Sequence, residues 1–173
     1  MSRLRRLVLS DRFFFVTCRL FPNRRILSES ELDCLAQAIS ARRKIHGFLV
    51  TAWVFLPDHW HAILYPHHPL TISDVMESIK VSSTRRINRG RGELGLLWQG
   101  RFFDRAVRTA QEYHETVEYI HWNPVKAGLV SRPEDWPWSS AHDDSGSAAG
   151  PMATNTALVI DRVVLPMDPG ARI

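Results

Sequence analysis

Short apolar runs that favour β-strands alternate with helix-start patterns along this chain, and this alternation restricts it to a mixed α and β fold. The runs are rich in aromatic and β-branched residues, which fit the half-buried surface of a sheet. Four of them predict strands: Phe13 to Cys18, Phe48 to Leu56, the run from the Pro57-Asp58 turn to Tyr65, and Trp98 to Arg108.

Capping boxes separate these runs and predict three helices. They lie at Ser28 to Glu31, Thr71 to Asp74 and Thr109 to Glu112, and each is followed by apolar residues at helical spacing. Gly47 should end the first helix. The second should give way to a flexible basic loop from Arg89 to Gly92, and Pro124 should stop the third near Asn123.

The resulting order is βαββαβα. Its first six elements match the split βαβ plan of ferredoxin-like folds, with an antiparallel sheet, and one helix is added at the C-terminal end. We therefore expect an α+β fold with a single domain over residues 1–142. Composition shifts to Ser, Gly, Ala and Asp from Ser139 to Ala153, so residues 143–173 are expected to be a linker and tail, in which Ala157 to Leu165 either docks as a strand or stays mobile.

Two histidines, His59 and His61, stand at the head of the third strand run. Residues i and i+2 of a strand point to the same side, so both imidazoles should project from one face toward a common point. Two neighbouring imidazoles can bind one metal ion. The spacing alone is a weak signal, because two partly exposed strand histidines are the more frequent explanation.

Composition and segment lengths indicate a cytoplasmic protein with no membrane partner. No apolar run approaches the roughly 18 residues of a membrane span, and the basic start is interrupted too early to act as a signal peptide. The two cysteines, Cys18 and Cys34, lack metal-site spacing. We expect them to be reduced core residues.

Positive charge is concentrated in two segments. Residues 1–25 carry seven Arg against one Asp, and residues 80–108 carry eight Lys or Arg against two acids, whereas residues 134–173 are acidic. Such basic segments are typical of contact with a polyanion. The candidate phosphate contacts are Arg85, Arg86, Arg89, Arg91, Arg101, Arg105 and Arg108.

The last predicted helix brings a phenol and an amide together. Tyr119 and Asn123 are four residues apart and should share one helix face. A divalent ion held by two imidazoles and one side-chain oxygen keeps open positions for a phosphate oxygen. A nearby phenolate can attack phosphorus and form a covalent phosphotyrosyl intermediate. Core packing remains the alternative for a helical tyrosine.

The segment Trp53 to Leu64 resembles the histidine, hydrophobic, histidine motif of the single-tyrosine HUH, or IS200-like, transposases. Trp98-Gln99 with Phe102 to Arg108, Glu118 to Val130, and Pro133 to Ser140 resemble that family's later motifs, the last one as found in REP-associated tyrosine transposases. The similarity runs in order over roughly residues 10–142.

The resemblance implies a ferredoxin-like nuclease domain that binds single-stranded or hairpin DNA. It implies that Tyr119 is the nucleophile that cleaves and rejoins one strand, and that His59, His61 and Asn123 bind Mg²⁺ or Mn²⁺. A glycine-arginine-arginine-tyrosine type motif is common at the N-terminus of the REP-associated branch, and only Leu4-Arg5-Arg6-Leu7 stands there in this chain.

Three points stay open at this level. The chain is expected to be a monomer or a homodimer. It could be a domesticated module that binds hairpin DNA without transposition activity. An RNA-binding domain of the RRM type is disfavoured, because its central strand should carry aromatic RNP patterns where this chain has His59 and His61.

Overall fold

The computed structural model describes residues 10–144 and 158–173. Four strands alternate with three long helices in the predicted order. The elements are β1 (Phe14–Arg19), α1 (Glu29–His46), β2 (Leu49–Phe55), β3 (His59–Tyr65), α2 (Ile72–Arg91), β4 (Phe103–Ala106), α3 (Ala110–Lys126), a 3-10 turn (Pro133–Asp135) and the short α4 (Ala141–Asp144).

The strands form one antiparallel sheet in the order β2-β3-β1-β4. Strand β3 pairs with β2 on one side and with β1 on the other, and β4 pairs with the free side of β1. This order is that of the ferredoxin-like βαββαβ arrangement, and the predicted α+β fold is confirmed.

The two faces of the sheet carry different helices. Helices α1 and α2 cover one face and bury a core that includes Trp53, Trp60 and Trp98. Helix α3 lies on the other face and packs on Phe15, Val54 and neighbouring residues of the alternate positions. Because strand side chains alternate between faces, His61 and its neighbours in the odd positions of β1 and β3 lie on the α3 side.

The basic segment predicted to be a loop is helical. Helix α2 continues through Arg89 to Arg91 and ends at Gly92, whose φ of 66° is left-handed. The prediction was wrong because Ile87 and Asn88 are buried and Arg91 pairs with Glu31 of α1 across the helix pair. These tertiary contacts offset the low helix propensity of the glycine in this turn.

Pro124 does not end α3. The helix runs on to Lys126 and closes at Gly128, which has a φ of 70°. There the Gly128 amide donates to the Val125 carbonyl at 2.9 Å and the Leu129 amide donates to the Pro124 carbonyl at 3.0 Å. This is a Schellman closure, and a glycine in the left-handed conformation is what it requires. The stop signal was therefore Gly128, and the proline is tolerated inside the last turns.

The fourth strand is shorter than predicted. Regular pairing covers only Phe103 to Ala106, while Trp98 makes an isolated bridge with Leu20 and is buried in the core. The segment between them is held by Lys80, whose ammonium donates to the carbonyls of Gln99 and Gly100 at 2.6 and 2.9 Å. Two backbone hydrogen bonds, from the Phe21 amide to the Leu97 carbonyl and from the Gln99 amide to the Arg19 carbonyl, join the start of this segment to the end of β1. Beyond them, packing of the indole and the Lys80 contacts organise the segment up to Phe102.

The described part of the C-terminal segment docks on the domain, although not as a strand. Leu158 is buried in the core, and Asp161 exchanges hydrogen bonds with the backbone of Val50 at 2.7 and 2.9 Å. Near its end, the Ala171 carbonyl accepts from the Ala110 amide at the start of α3. Within residues 10–144 and 158–173, no helix is long and apolar enough to cross a membrane.

Candidate active site

The two histidines lie at the N-terminal end of β3 and face α3. Their ring centroids are 4.9 Å apart with the planes nearly perpendicular. His61 is buried and His59 is partly buried. The prediction that both imidazoles project from one face is therefore reproduced by the fold, because β3 is a regular strand at these positions.

His61 is oriented by the neighbouring strand. Its Nδ1 lies 2.8 Å from Thr17 Oγ1, while its buried Nε2 has no hydrogen-bond partner among the described residues. Burial, with smaller contributions from the charges of His59 and Arg19, lowers the pKa of His61 to about 3. The ring is thus neutral at neutral pH. In the tautomer whose Nδ1 proton is donated to Thr17, the Nε2 lone pair is free to bind a cation.

His59 is oriented by an acid. Its Nδ1 lies 2.7 Å from Asp58 Oδ1, an arrangement that turns Nε2 away from the carboxylate. Arg19 lies opposite His59 in the pairing of β1 with β3 and is exposed. A carboxylate behind the imidazole fixes the orientation of the ring as a ligand, and the guanidinium adds positive charge at the mouth of the site.

Tyr119 projects from α3 over the histidine pair. Its ring centroid is 5.6 Å from that of His61 and 5.8 Å from that of Phe15, and 43% of the residue is exposed. The ammonium of Lys126 sits 4.9 Å from the centroid of the same ring. The phenol is therefore held by aromatic contacts on one side and stays open to solvent on the other.

Asn123 lies one turn further along α3 and is buried. Its Nδ2 donates to the backbone carbonyl of Tyr119 at 3.4 Å. The amide also lies against the imidazole of His61, where it acts to raise the pKa of that ring and so opposes the effect of burial. Because the amide nitrogen is used by the helix, the amide oxygen is the end that is available to a cation.

This donor set fits a divalent cation. The unpaired Nε2 of His61, the imidazole of His59, whose Nδ1 is held by Asp58, and the oxygen of Asn123 offer nitrogen and oxygen ligands. The described residues contain no cluster of three or more His, Cys, Asp or Glu side chains able to bind a metal. Three ligands from His59, His61 and Asn123 would leave further positions on a bound ion for water or a phosphate oxygen.

The predicted arginine track is divided in the structure. Arg105 is exposed on the site face and its guanidinium reaches Thr116 of α3 at 3.3 Å. Arg91 is buried and hydrogen-bonded to Glu31, so its charge is already paired. The remaining arginines are exposed, on α2 (Arg85, Arg86, Arg89) and beside β4 (Arg101, Arg108).

Several residues at the site were not singled out from the sequence. Thr17 and Arg19 reach it through the pairing of β1 with β3, and Phe103 through the pairing of β1 with β4. Asp58 adjoins His59 and could have been noticed, since an acid beside a histidine is a local signal. The other three depend on which strands are neighbours. The Leu4 to Leu7 segment lies outside the described residues.

Comparisons with known proteins point to one family. The family model for IS200-like transposases matches residues 15–123. A REP-associated tyrosine transposase of Escherichia coli K12 is 34% identical over 145 residues, which cover 83% of this chain and 85% of that protein. The solved structure of a REP-associated tyrosine transposase bound to a REP hairpin superposes with a TM-score of 0.73 at 31% identity, covering 100% of this chain and 99% of the other. With its histidine pair under a helical tyrosine, the chain belongs to the IS200-like, single-tyrosine transposase family, in its REP-associated branch.

Proposed function

We propose that this chain binds single-stranded or hairpin DNA and cleaves and rejoins one strand through a covalent bond to Tyr119. The observation that carries the proposal is the position of the exposed phenol over the buried, neutral His61 in the same chain. Hairpin DNA is the proposed substrate class because the structural relative was solved with a REP hairpin.

In the proposed reaction the oxygen of Tyr119 attacks the phosphorus of one phosphodiester. The bond from phosphorus to one deoxyribose oxygen breaks as the bond to the tyrosine oxygen forms. The phenol proton is lost to solvent, to which the residue is 43% exposed, and the leaving deoxyribose oxygen takes up a proton from solvent to become a free DNA hydroxyl. Strand joining is the reverse: a free DNA hydroxyl attacks the phosphotyrosine and releases the phenol. The bond energy is conserved in the intermediate, so no nucleotide cofactor is required.

His59, His61 and Asn123 are the proposed ligands of a divalent ion, Mg²⁺ or Mn²⁺. When bound, the ion would supply Lewis-acid polarisation of the scissile phosphate. The protein's own part is to orient the ligands. Thr17 and Asp58 hold the Nδ1 side of each imidazole, and helix α3 fixes the amide and the phenol one turn apart.

Positive side chains beside the site would hold the DNA backbone. Arg19 and Arg105 are exposed on the sheet face that carries the histidines, and Lys126 lies against the tyrosine ring. The arginines of α2 lie in the helix layer that covers the opposite face of the sheet. They would therefore contact a part of the hairpin away from the scissile phosphate.

The test is covalent capture of labelled DNA. Purified protein, Mn²⁺ or Mg²⁺, and a panel of hairpins with single-stranded flanks should give a protein–DNA adduct that resists denaturing electrophoresis. Each hairpin is labelled at the 5′ end in one sample and at the 3′ end in another, so that the adduct is seen for either polarity of the covalent bond. Tyr119→Phe should lower adduct formation by at least about 1,000-fold, because the nucleophile is removed. Chelation of the divalent ion should also abolish the adduct.

The matched control is Tyr113→Phe, which makes the same chemical change on the same helix at a buried ring packed on Phe13. This variant should retain the adduct. Adduct formation by Tyr119→Phe at the wild-type rate would refute the assignment. Salt-dependent hairpin binding by the wild type without any adduct, across the panel and both ions, would instead identify a domesticated binding module.

A further inference from the structure

Phe103 exposes its ring at the edge of the candidate site. The residue is 55% accessible, although it lies in β4 next to a covered part of the sheet. Single exposed hydrophobic residues are common on protein surfaces and need no explanation by themselves. The position of this one relative to the histidines and the tyrosine is what distinguishes it.

The strand register places Phe103 in line with the site. Thr17 of β1 pairs with His61 on one side and with Phe103 on the other, so the three residues form one row across the sheet. Directly paired residues point to the same face. With neighbouring strands about 4.8 Å apart, the backbone of Phe103 is roughly 10 Å from that of His61.

The ring also contacts the aromatic group that supports the tyrosine. Phe103 meets Phe15 edge to face at a centroid distance of 6.1 Å. Phe15 in turn stacks on His61 at 5.4 Å and meets Tyr119 at 5.8 Å. Phe103 is thus the outermost member of a continuous aromatic group whose inner members line the site.

Positive side chains beside the ring indicate which class of partner it binds. Arg105 is two residues further along β4, on the same face, and is exposed. Arg101 is exposed just before the strand. An accessible ring with exposed arginines two residues before and after it in the chain is typical of surfaces that bind single-stranded nucleic acid, in which bases stack on aromatic rings and cations hold the backbone.

We propose that Phe103 is a stacking platform for one nucleobase of the single-stranded DNA beside the scissile phosphate, and that Arg105 holds the adjoining backbone phosphate. This proposal rests on the proposed function, because that function places the scissile phosphate at Tyr119. The stacking itself is a binding property, and it can be measured without cleavage.

The experiment is a mutant cycle between the protein and the DNA, carried out with chelator present so that no strand is cut. Hairpins with single-stranded flanks are prepared with an abasic site at each flank position in turn. Their dissociation constants are measured for the wild type, for Phe103→Leu and for Phe103→Trp. The leucine keeps an apolar side chain but removes the π face, and the tryptophan keeps a stacking surface.

At one flank position, the abasic site should weaken wild-type binding roughly 5- to 150-fold. Phe103→Leu should bind intact DNA more weakly than the wild type by a similar factor, and the abasic site should weaken the binding of this variant little further. Phe103→Trp should bind within a few-fold of the wild type. Leu94→Ala is the control, since it removes a residue that is 92% exposed in the loop after α2, outside the sheet. It should change nothing. Equal melting temperatures would show that all variants fold.

The stacking proposal would be overturned if the loss of affinity from Phe103→Leu and the loss from the abasic site simply added at every flank position. It would also be overturned if Phe103→Leu bound DNA as tightly as the wild type. Either result would count even if the wild type forms the adduct. The cycle can also succeed while no adduct forms with any substrate. In that case the stacking is supported and the proposed strand transfer fails, so the two proposals are tested separately.

Discussion

Removing the hydroxyl of Thr17 should weaken metal binding without preventing catalysis. In the structure Thr17 Oγ1 lies 2.8 Å from Nδ1 of His61. In the tautomer that leaves Nε2 free for a metal ion, Nδ1 carries the proton and donates it to this oxygen. Valine has nearly the same shape and keeps the β-branch that suits a strand, so Thr17→Val should fold. The variant would leave the buried Nδ1–H of His61 without its hydrogen-bond acceptor. Because the ring is neutral, with a pKa of about 3, the proton can move to Nε2 and occupy the lone pair that faces the site.

The size of this effect follows from the role of the hydrogen bond. Loss of a side chain that orients a metal-bound histidine typically lowers metal affinity 10- to 100-fold, which corresponds to about 1.4 to 2.7 kcal/mol. An unsatisfied buried donor costs about 1 to 3 kcal/mol, which is the same range. Calorimetric titration of the purified protein with Mn²⁺ should therefore show a dissociation constant 10 to 100 times higher for Thr17→Val than for the wild type.

The kinetic signature separates orientation from catalysis. In the covalent capture assay, the Mn²⁺ concentration at half-maximal rate should rise by the same factor, while the rate at saturating Mn²⁺ stays within a few-fold of the wild type. Thr17→Ser, which restores an acceptor oxygen, should recover most of the affinity. Unchanged Mn²⁺ affinity in Thr17→Val, or a lower saturating rate at unchanged affinity, would refute the reasoning.

Three substitutions should change stability, and all can be checked by urea unfolding. Hydrogen bonds from Arg91 are the largest cause that lowers the pKa of Glu31 from 4.5 to about 2. A carboxyl with a depressed pKa in the folded state stabilises the protein above the unfolded value, and this contribution is lost as the pH falls from about 4.5 through about 2. Glu31→Gln should therefore lower the free energy of unfolding at pH 7 by about 3 kcal/mol, and this free energy should then vary less with pH between pH 5 and 2 than it does in the wild type. A wild type whose stability is constant over that range would contradict this. Gly128→Ala should cost about 1 to 2 kcal/mol, because φ is 70° and no neighbouring atom lies within 4 Å of the added methyl group, so backbone strain is the whole effect. Gly90→Ala, inside α2 with the same open surroundings and no positive φ, should instead stabilise by about 0.5 to 1 kcal/mol, and equal effects at the two glycines would argue against backbone strain.

Local patterns predicted most of the secondary structure. The capping boxes at Ser28 and Thr71 are both formed, and Gly47 ends α1 in the left-handed conformation as expected. At Thr109 the cap is half formed: the hydroxyl accepts from the Glu112 amide, while the Glu112 carboxylate accepts from the Arg108 amide instead. These signals are readable because the groups that satisfy a helix end lie within a few residues of it.

The errors occurred where distant contacts outweighed local preference. The end of α2 was predicted to be a loop, yet Glu31, sixty residues earlier, binds the guanidinium of Arg91 and draws this end into the helix layer. The predicted strand from Trp98 is mostly irregular, since its indole is buried and donates to Ser83. Neither partner can be identified from spacing, because nothing local relates residues so far apart.

By itself, the sequence determined that the chain alternates strands and helices, that His59 and His61 share a face, and that Tyr119 and Asn123 share a helix turn. Those relations follow from the periods of a strand and a helix. Only the tertiary structure decided that β1 lies between β3 and β4, which brings Thr17 behind His61 and Phe103 into the same row. It also decided that α3 crosses the face with the histidines and sets Tyr119 over His61. Strand order and helix placement depend on which apolar faces can be buried together, and that is a property of the whole folded chain.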